Sequence, residues 1–180
     1  MSSGNDSAER NRNLWAPWRS EYIDALNEGG EGCFLCRYRD QPAKDAENLV
    51  LYRSAGAFVV MNRFPYTGGH LLVAPLVHAA TLEELSPPVL TELMLAVRDA
   101  HALLAAVVRA DGYNLGMNLG RCAGAGLPGH LHVHIVPRWE GDTNFMSVLG
   151  DVRVIPKSLQ AQYEELRDQA RRMGLGTGTA

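Results

Sequence analysis

Gly129-His130-Leu131-His132-Val133-His134-Ile135-Val136-Pro137-Arg138-Trp139 holds three of the chain's six histidines, alternating with Leu, Val and Ile. Successive side chains of a strand point to opposite faces, so His130, His132 and His134 share one face and Leu131, Val133 and Ile135 the other. A helix would spread the same imidazoles over roughly 400° of arc. The stretch, residues 131–136 in particular, therefore reads as a strand with one face in a core and a row of imidazoles on the other. Upstream, the glycine-rich loop Gly120-Arg121-Cys122-Ala123-Gly124-Ala125-Gly126 follows a second strand candidate at 113–118. Three further apolar runs, at 49–52, 57–61 and 71–74, are separated by Gly56 and by Pro65-Tyr66-Thr67-Gly68-Gly69, the pattern of neighbouring antiparallel strands.

Thr81, with Glu84 three residues on, has the form of a helix cap. After Pro87-Pro88, Leu90, Leu93, Met94, Val97, His101, Leu104 and Val108 recur at helical spacing, which predicts a long helix covering the sheet. Leu159, Tyr163, Leu166, Ala170 and Met173 mark an amphipathic C-terminal helix. Strands grouped around one or two helices, without regular βαβ alternation, predict an α+β domain on an antiparallel sheet. Its expected extent is 14–173, between a polar, disordered tail at 1–13 and a frayed one at 174–180. Within that span, Leu14-Trp15-Ala16-Pro17-Trp18-Arg19 and a short helix at 20–27 form an arm that packs on the core, on a partner subunit or against a substrate.

A chain of 180 residues with 46% hydrophobic and 21% charged side chains is neither disordered nor fibrous. Its net charge of −3 lacks the basic excess of proteins that coat nucleic acid. No apolar run reaches the roughly 18–20 residues of a membrane span, and the polar start carries no apolar signal core, so a cytoplasmic protein is expected. In a reducing compartment, Cys33-Phe34-Leu35-Cys36 reads as a metal-ligand pair before a disulfide, and Cys122 has no partner by spacing.

Two chemistries suit the imidazole row. Neutral imidazoles ligate zinc, and a metal-bound water could then hydrolyse a substrate. Alternatively, an imidazole attacks phosphorus and a second acceptor resolves the covalent intermediate. The adjoining loop favours the second, because its glycines free backbone N–H groups to face an anion. No Gly-Lys-Ser/Thr follows, so it is not a P-loop.

His130-Leu131-His132-Val133-His134-Ile135-Val136 matches in full the signature of the histidine triad (HIT) family, three histidines alternating with apolar residues. The resemblance extends to Met61-Asn62-Arg63, Pro65-Tyr66, Gly68-Gly69-His70, Asn118-Leu119-Gly120 and Pro137-Arg138-Trp139, over about residues 14–155. The Trp arm, the Ala123-Gly124-Ala125-Gly126 loop and Gly141-Asp142-Thr143-Asn144-Phe145 are most similar to the bacterial branch that contains diadenosine tetraphosphate phosphorylases. The resemblance implies a HIT-like fold and a nucleotidyl transferase that cleaves dinucleoside polyphosphates. Inorganic phosphate as acceptor would give ADP and ATP; water would make it a hydrolase, and nucleoside phosphoramidates are an alternative substrate. His132 would be the nucleophile, its tautomer fixed by the His130 carbonyl. His134 would donate to phosphate oxygens, and His70 would orient the row. Asn62 would contact ribose, Asn118 would sit beside the scissile phosphate, Ala125 and Gly126 would offer N–H groups, and Trp139 would stack on the substrate. Where many family members carry Ser or Thr near the leaving group, this chain has Leu127. Zinc-bearing relatives further imply a structural zinc on Cys33, Cys36, His78 and His130. Members of this fold pair through the long helix and an edge strand, so a homodimer or larger homo-oligomer is expected.

Overall fold

Strand β5, Val133–Arg138, is the element that the histidine row predicts, beginning two residues later than expected. In a computed structural model of the protein, residues 32–142 and 157–176 are described. There, β5 lies between β3 (Leu71–Pro75) and β4 (Gly112–Met117), and β2 (Ala57–Met61) and β1 (Val50–Arg53) complete an antiparallel sheet in the order β1-β2-β3-β5-β4. The late start of β5 has a local cause. His130 sits in a bend and Leu131 N–H donates to Ala79 O at 2.6 Å, so the chain joins β3 only where Val133 pairs with Val73. Pro137 is tolerated in a strand flanked on both sides because β3 pairing stops at Ile135. Its carbonyl, and hence its missing N–H, faces the turn before β3, where Thr67 Oγ1 donates to Pro137 O at 2.9 Å.

Three helices accompany the sheet among the described residues: α1 (Phe34–Asp40), α2 (Pro87–Val108) and α3 (Leu159–Arg172). Ser86, extended because a proline follows it, starts α2, whose proline at N1 lacks only an N–H that the helix would leave unpaired. The buried face of α2 is Leu93, Ala96, Val97, Ala100, Leu103 and Leu104, rotated from the expected stripe so that two alanines meet the sheet and Met94 stays 49% exposed. Burying a leucine such as Leu93, Leu103 or Leu104 contributes roughly 1.5–3 kcal/mol. The face of the sheet that α2 covers carries Val133, Ile135 and Pro137 of β5; the opposite face carries His134. The fold is thus α+β, as the sequence predicts.

Two expectations change. Thr81 does not open a helix: residues 81–85 form a turn in which Glu84 accepts from Ala80 N–H and Thr81 Oγ1, because Pro87-Pro88 leaves too few residues to propagate one. Residues 174–176 close α3 rather than fray, with Leu175 N–H reaching Ala170 O at 2.9 Å and Gly174 at φ +69. The Trp arm with the 20–27 helix, the 1–13 tail, residues 143–145 of the resemblance and residues 177–180 lie outside the described residues.

Candidate active site and candidate metal centre

The protons of the histidines can be placed from their partners. Tyr66 N–H donates to His70 Nδ1 at 3.1 Å, and Asn62 Nδ2 approaches the same nitrogen at 3.3 Å, so His70 carries its proton on Nε2. That Nε2–H donates to His134 Nδ1 at 2.9 Å. His134 is therefore protonated on Nε2, a buried donor with no partner among the described residues. A buried donor without an acceptor is costly unless something supplies one. In the neighbouring ring, His132 Nδ1–H donates to the His130 carbonyl at 2.8 Å, which leaves the lone pair on Nε2. The His132 and His134 rings lie 4.9 Å apart, so a bare lone pair and an unsatisfied N–H stand side by side on one face.

Burial pushes both imidazoles below the ordinary histidine value. For His132 it outweighs the raising effect of the His130 carbonyl; for His134, burial and then the neighbouring His132 bring the value to about 4. Both rings are therefore neutral at pH 7, the state in which an imidazole nitrogen can attack and an imidazole N–H can donate without desolvating a charge.

Asn62, 8% exposed, belongs to the support of His70: its Oδ1 accepts from Phe64 N–H at 3.0 Å while its Nδ2 faces His70. Asn118 follows β4 by one residue, with the parity of Gly116, which pairs with His134; it thus falls on the histidine face. Gly120 and Gly124, at φ +79 and +85, bracket a 3-10 turn at Arg121–Ala123, and Ala125 and Gly126 follow, half-buried, on the way to His130. Trp139 stands apart. It lies past the end of β5, about 16 Å along an extended chain from His134 and on the opposite parity.

His130 does not share the work of the row. From its bend its ring turns to a second cluster, where Nε2–H donates to Pro75 O at 3.0 Å and the unprotonated Nδ1 lies 3.1 Å from Cys33 Sγ and 3.5 Å from Cys36 Sγ. His78 Nδ1 stands 3.2 Å from Cys36 Sγ. The four donor atoms lie within 4.8 Å of one another, a Cys2His2 set that could hold a metal ion. Its chemistry fits a closed tetrahedral zinc site. A carbonyl fixes the ligating tautomer of His130, and Cys33 caps α1 by accepting from Cys36 N–H at 3.4 Å. Burial and the adjacent Cys36 push the Cys33 thiol up to about 11, so without a cation this sulfur keeps its proton. The three imidazoles of the row do not converge on one point, which removes the geometric basis for a catalytic metal held by the row.

Sequence reading missed three supports. Tyr66 acts through its backbone N–H and through a ring centred 4.6 Å from that of His70 and 6.2 Å from that of His134. Pro75 acts through a carbonyl, which no sequence pattern reveals. Gln162 is 7% exposed, and its Oε1 accepts from Gly69 N–H at 2.8 Å. A glutamine among Leu159, Tyr163 and Leu166 on the apolar face of α3 is the one signal that could have found it.

The pattern of the HIT domain family matches residues 43–141. The chain is 37% identical over 152 residues to the AP-4-A phosphorylase of Mycobacterium tuberculosis, covering 82% of this chain and 78% of that protein. It is 37% identical over 93 residues to the asymmetrical bis(5'-nucleosyl)-tetraphosphatase of Schizosaccharomyces pombe, covering 52% of this chain and 50% of that protein. In fold it is similar to the crystal structure of a Zn-bound histidine triad family protein from Mycobacterium smegmatis, with a TM-score of 0.62 and 24% identity, over 79% of this chain and 98% of that one.

Proposed function

Because the chain belongs to the HIT domain family, we propose that it is a nucleotidyl transferase that cleaves dinucleoside polyphosphates, converting diadenosine tetraphosphate and inorganic phosphate to ADP and ATP. The observation that carries the reading is the pairing of the His132 lone pair with the unsatisfied His134 Nε2–H. His132 Nε2 attacks the α-phosphorus, a P–N bond forms, and the bond to the bridging oxygen breaks, releasing ATP. His134 donates to the non-bridging oxygens as their charge grows. Phosphate then attacks the nucleotidyl-histidine, the P–N bond breaks, and ADP leaves with His132 restored. His70 holds His134 in the donating tautomer. Asn62 steadies the ring of His70, and Asn118 and the N–H groups of Ala125 and Gly126 line the phosphates, while Trp139, past the end of β5 and on the opposite parity, lies outside this arrangement.

Water in place of phosphate would give AMP and ATP, and the similarity to an asymmetrical tetraphosphatase keeps that reading in play. The product profile on diadenosine tetraphosphate, with and without phosphate, decides. ADP plus ATP only when phosphate is present supports the proposal; AMP plus ATP regardless of phosphate overturns it in favour of a hydrolase.

Cys33, Cys36, His78 and His130 would hold a zinc ion with a structural role, since four protein ligands leave no open position. When bound, the ion would clamp α1 to the segment that precedes β5 and so steady the His130 carbonyl on which His132 rests. A second copy of the chain would cover the edge strand β4 and the outer face of α2, where Leu115, Met94 and Leu95 are 49%, 49% and 39% exposed. A cytoplasmic location fits three free cysteines, and no helix of the described residues is long and apolar enough to cross a membrane.

A further inference from the structure

Helix α3 lies outside the span that matches the family, residues 43–141, yet one of its side chains reaches the turn that carries the catalytic relay. Gln162 is buried, and the group that faces it is the N–H of Gly69, so the contacting atom is Oε1. Gly69 is itself buried and sits at φ +82, the left-handed region. A Cβ there would lie 3.2 Å from Pro137 Cγ, 3.2 Å from Val108 Cγ2 and 3.3 Å from Leu104 Cδ2, so α2 and β5 wall the residue on one side. On the other side the Gln162 amide supplies its hydrogen bond. The next residue is His70. Its backbone is held by Thr67 O and by Asn62 N–H, and its ring donates to His134. The route from α3 to the reacting centre is thus Gln162, Gly69, His70 and His134, each step one hydrogen bond or one peptide unit.

We infer that Gln162 is a positioning residue for catalysis, by which the C-terminal helix sets the turn at Gly69 and so the aim of His70 at His134. The inference rests on the nucleotidyl-transfer reading above, and it deepens that reading by giving α3 a part in the reaction. Without the Oε1 acceptor, Gly69 N–H is a buried orphan and the turn relaxes toward another acceptor, which moves the His70 ring off a contact of 2.9 Å.

The test compares the wild type with Gln162→Met, which keeps length and loses the acceptor, and Gln162→Glu, which keeps an acceptor oxygen. Two readouts are taken at a temperature where melting curves show each protein folded. One is kcat and KM on diadenosine tetraphosphate with phosphate; the other is the downfield proton resonance of the His70 Nε2–H bond to His134. The proposal expects Gln162→Met to lower kcat by about tenfold or more with KM within about twofold, since small misplacements act on the transition state. It expects the resonance to shift or broaden, and Gln162→Glu to restore both to near wild type. A folded Gln162→Met with unchanged kcat and unchanged resonance overturns it, and so does a folded Gln162→Glu as impaired as Gln162→Met. If Gln162→Met does not fold, Gln162→Glu decides alone, supporting the inference by near-native kcat and resonance and overturning it by their loss. A wild type without activity on this substrate would count against the function proposed above, while the resonance would still judge Gln162.

Discussion

His70 Nε2 donates to His134 Nδ1 across 2.9 Å, and this one bond determines which nitrogen of His134 carries the proton. With Tyr66 N–H filling His70 Nδ1, the proton order along the relay has a single solution, ending in an N–H on His134 Nε2 that finds no acceptor among the described residues. In the proposed function, an oxygen of the substrate phosphate accepts from this N–H.

Replacing His70 by Leu removes the donor while keeping bulk. The His134 tautomer is then free to reverse, and kcat should fall by roughly 10²-fold, in the range of a lost transition-state donor. Steady-state kinetics beside a melting curve check this; a folded variant with wild-type kcat would dissolve the relay.

Acid should act on stability with a defined sign. In the unfolded chain His132 and His134 bind protons below about pH 6.5, whereas in the folded protein both values lie lower, that of His134 at about 4. The unfolded state thus takes up more protons in this window, so the contribution of these groups is complete above pH 6.5 and is lost as pH falls toward 4. Denaturant midpoints measured from pH 8 to 4.5 should fall below pH 6.5. The acid limb of kcat should lie below 6.5 as well, because His132 stays neutral to lower pH than free imidazole.

Cys36→Ser removes one of the four donors grouped with His130. Elemental analysis of the wild type should give about one zinc per chain and of the variant far less, with stability down by about 2–4 kcal/mol. Metal-free wild-type protein with an unchanged melting temperature would refute the structural-zinc reading.

Gly69→Ala should cost about 1–3 kcal/mol, since φ +82 strains any L side chain and the new methyl meets Pro137, Val108 and Leu104. Thermal denaturation checks it; a neutral substitution would mean that the turn is not held where it lies.

Much of this was legible in the alternation of residues 130–136, because a period of two admits only a strand and the family signature sits on it. The glycine loop, the long helix and the antiparallel strands followed from equally local signals. What stayed hidden depends on backbone groups and distant partners. The bend at His130, caused by a bond from Leu131 to Ala79, sends the first histidine away from the other two and into the Cys33 and Cys36 cluster. The alternation alone put all three on one face. Likewise the Thr81 and Glu84 pair forms its side-chain bond, yet Pro87 decides that no helix grows from it. The helix α2 buries Ala96 and Ala100 and leaves Met94 exposed, a packing outcome that hydrophobic spacing does not encode.

The proposed function depends above all on a covalent bond between His132 Nε2 and phosphorus. The direct measurement is intact-protein mass spectrometry, quenched under alkaline conditions within a turnover of mixing with diadenosine tetraphosphate in the absence of phosphate. The expected result is a gain of one adenylyl group that maps to His132, is chased to ADP by added phosphate, and is missing from His132→Ala. An adduct that persists in His132→Ala, or sustained turnover by that variant, would contradict it.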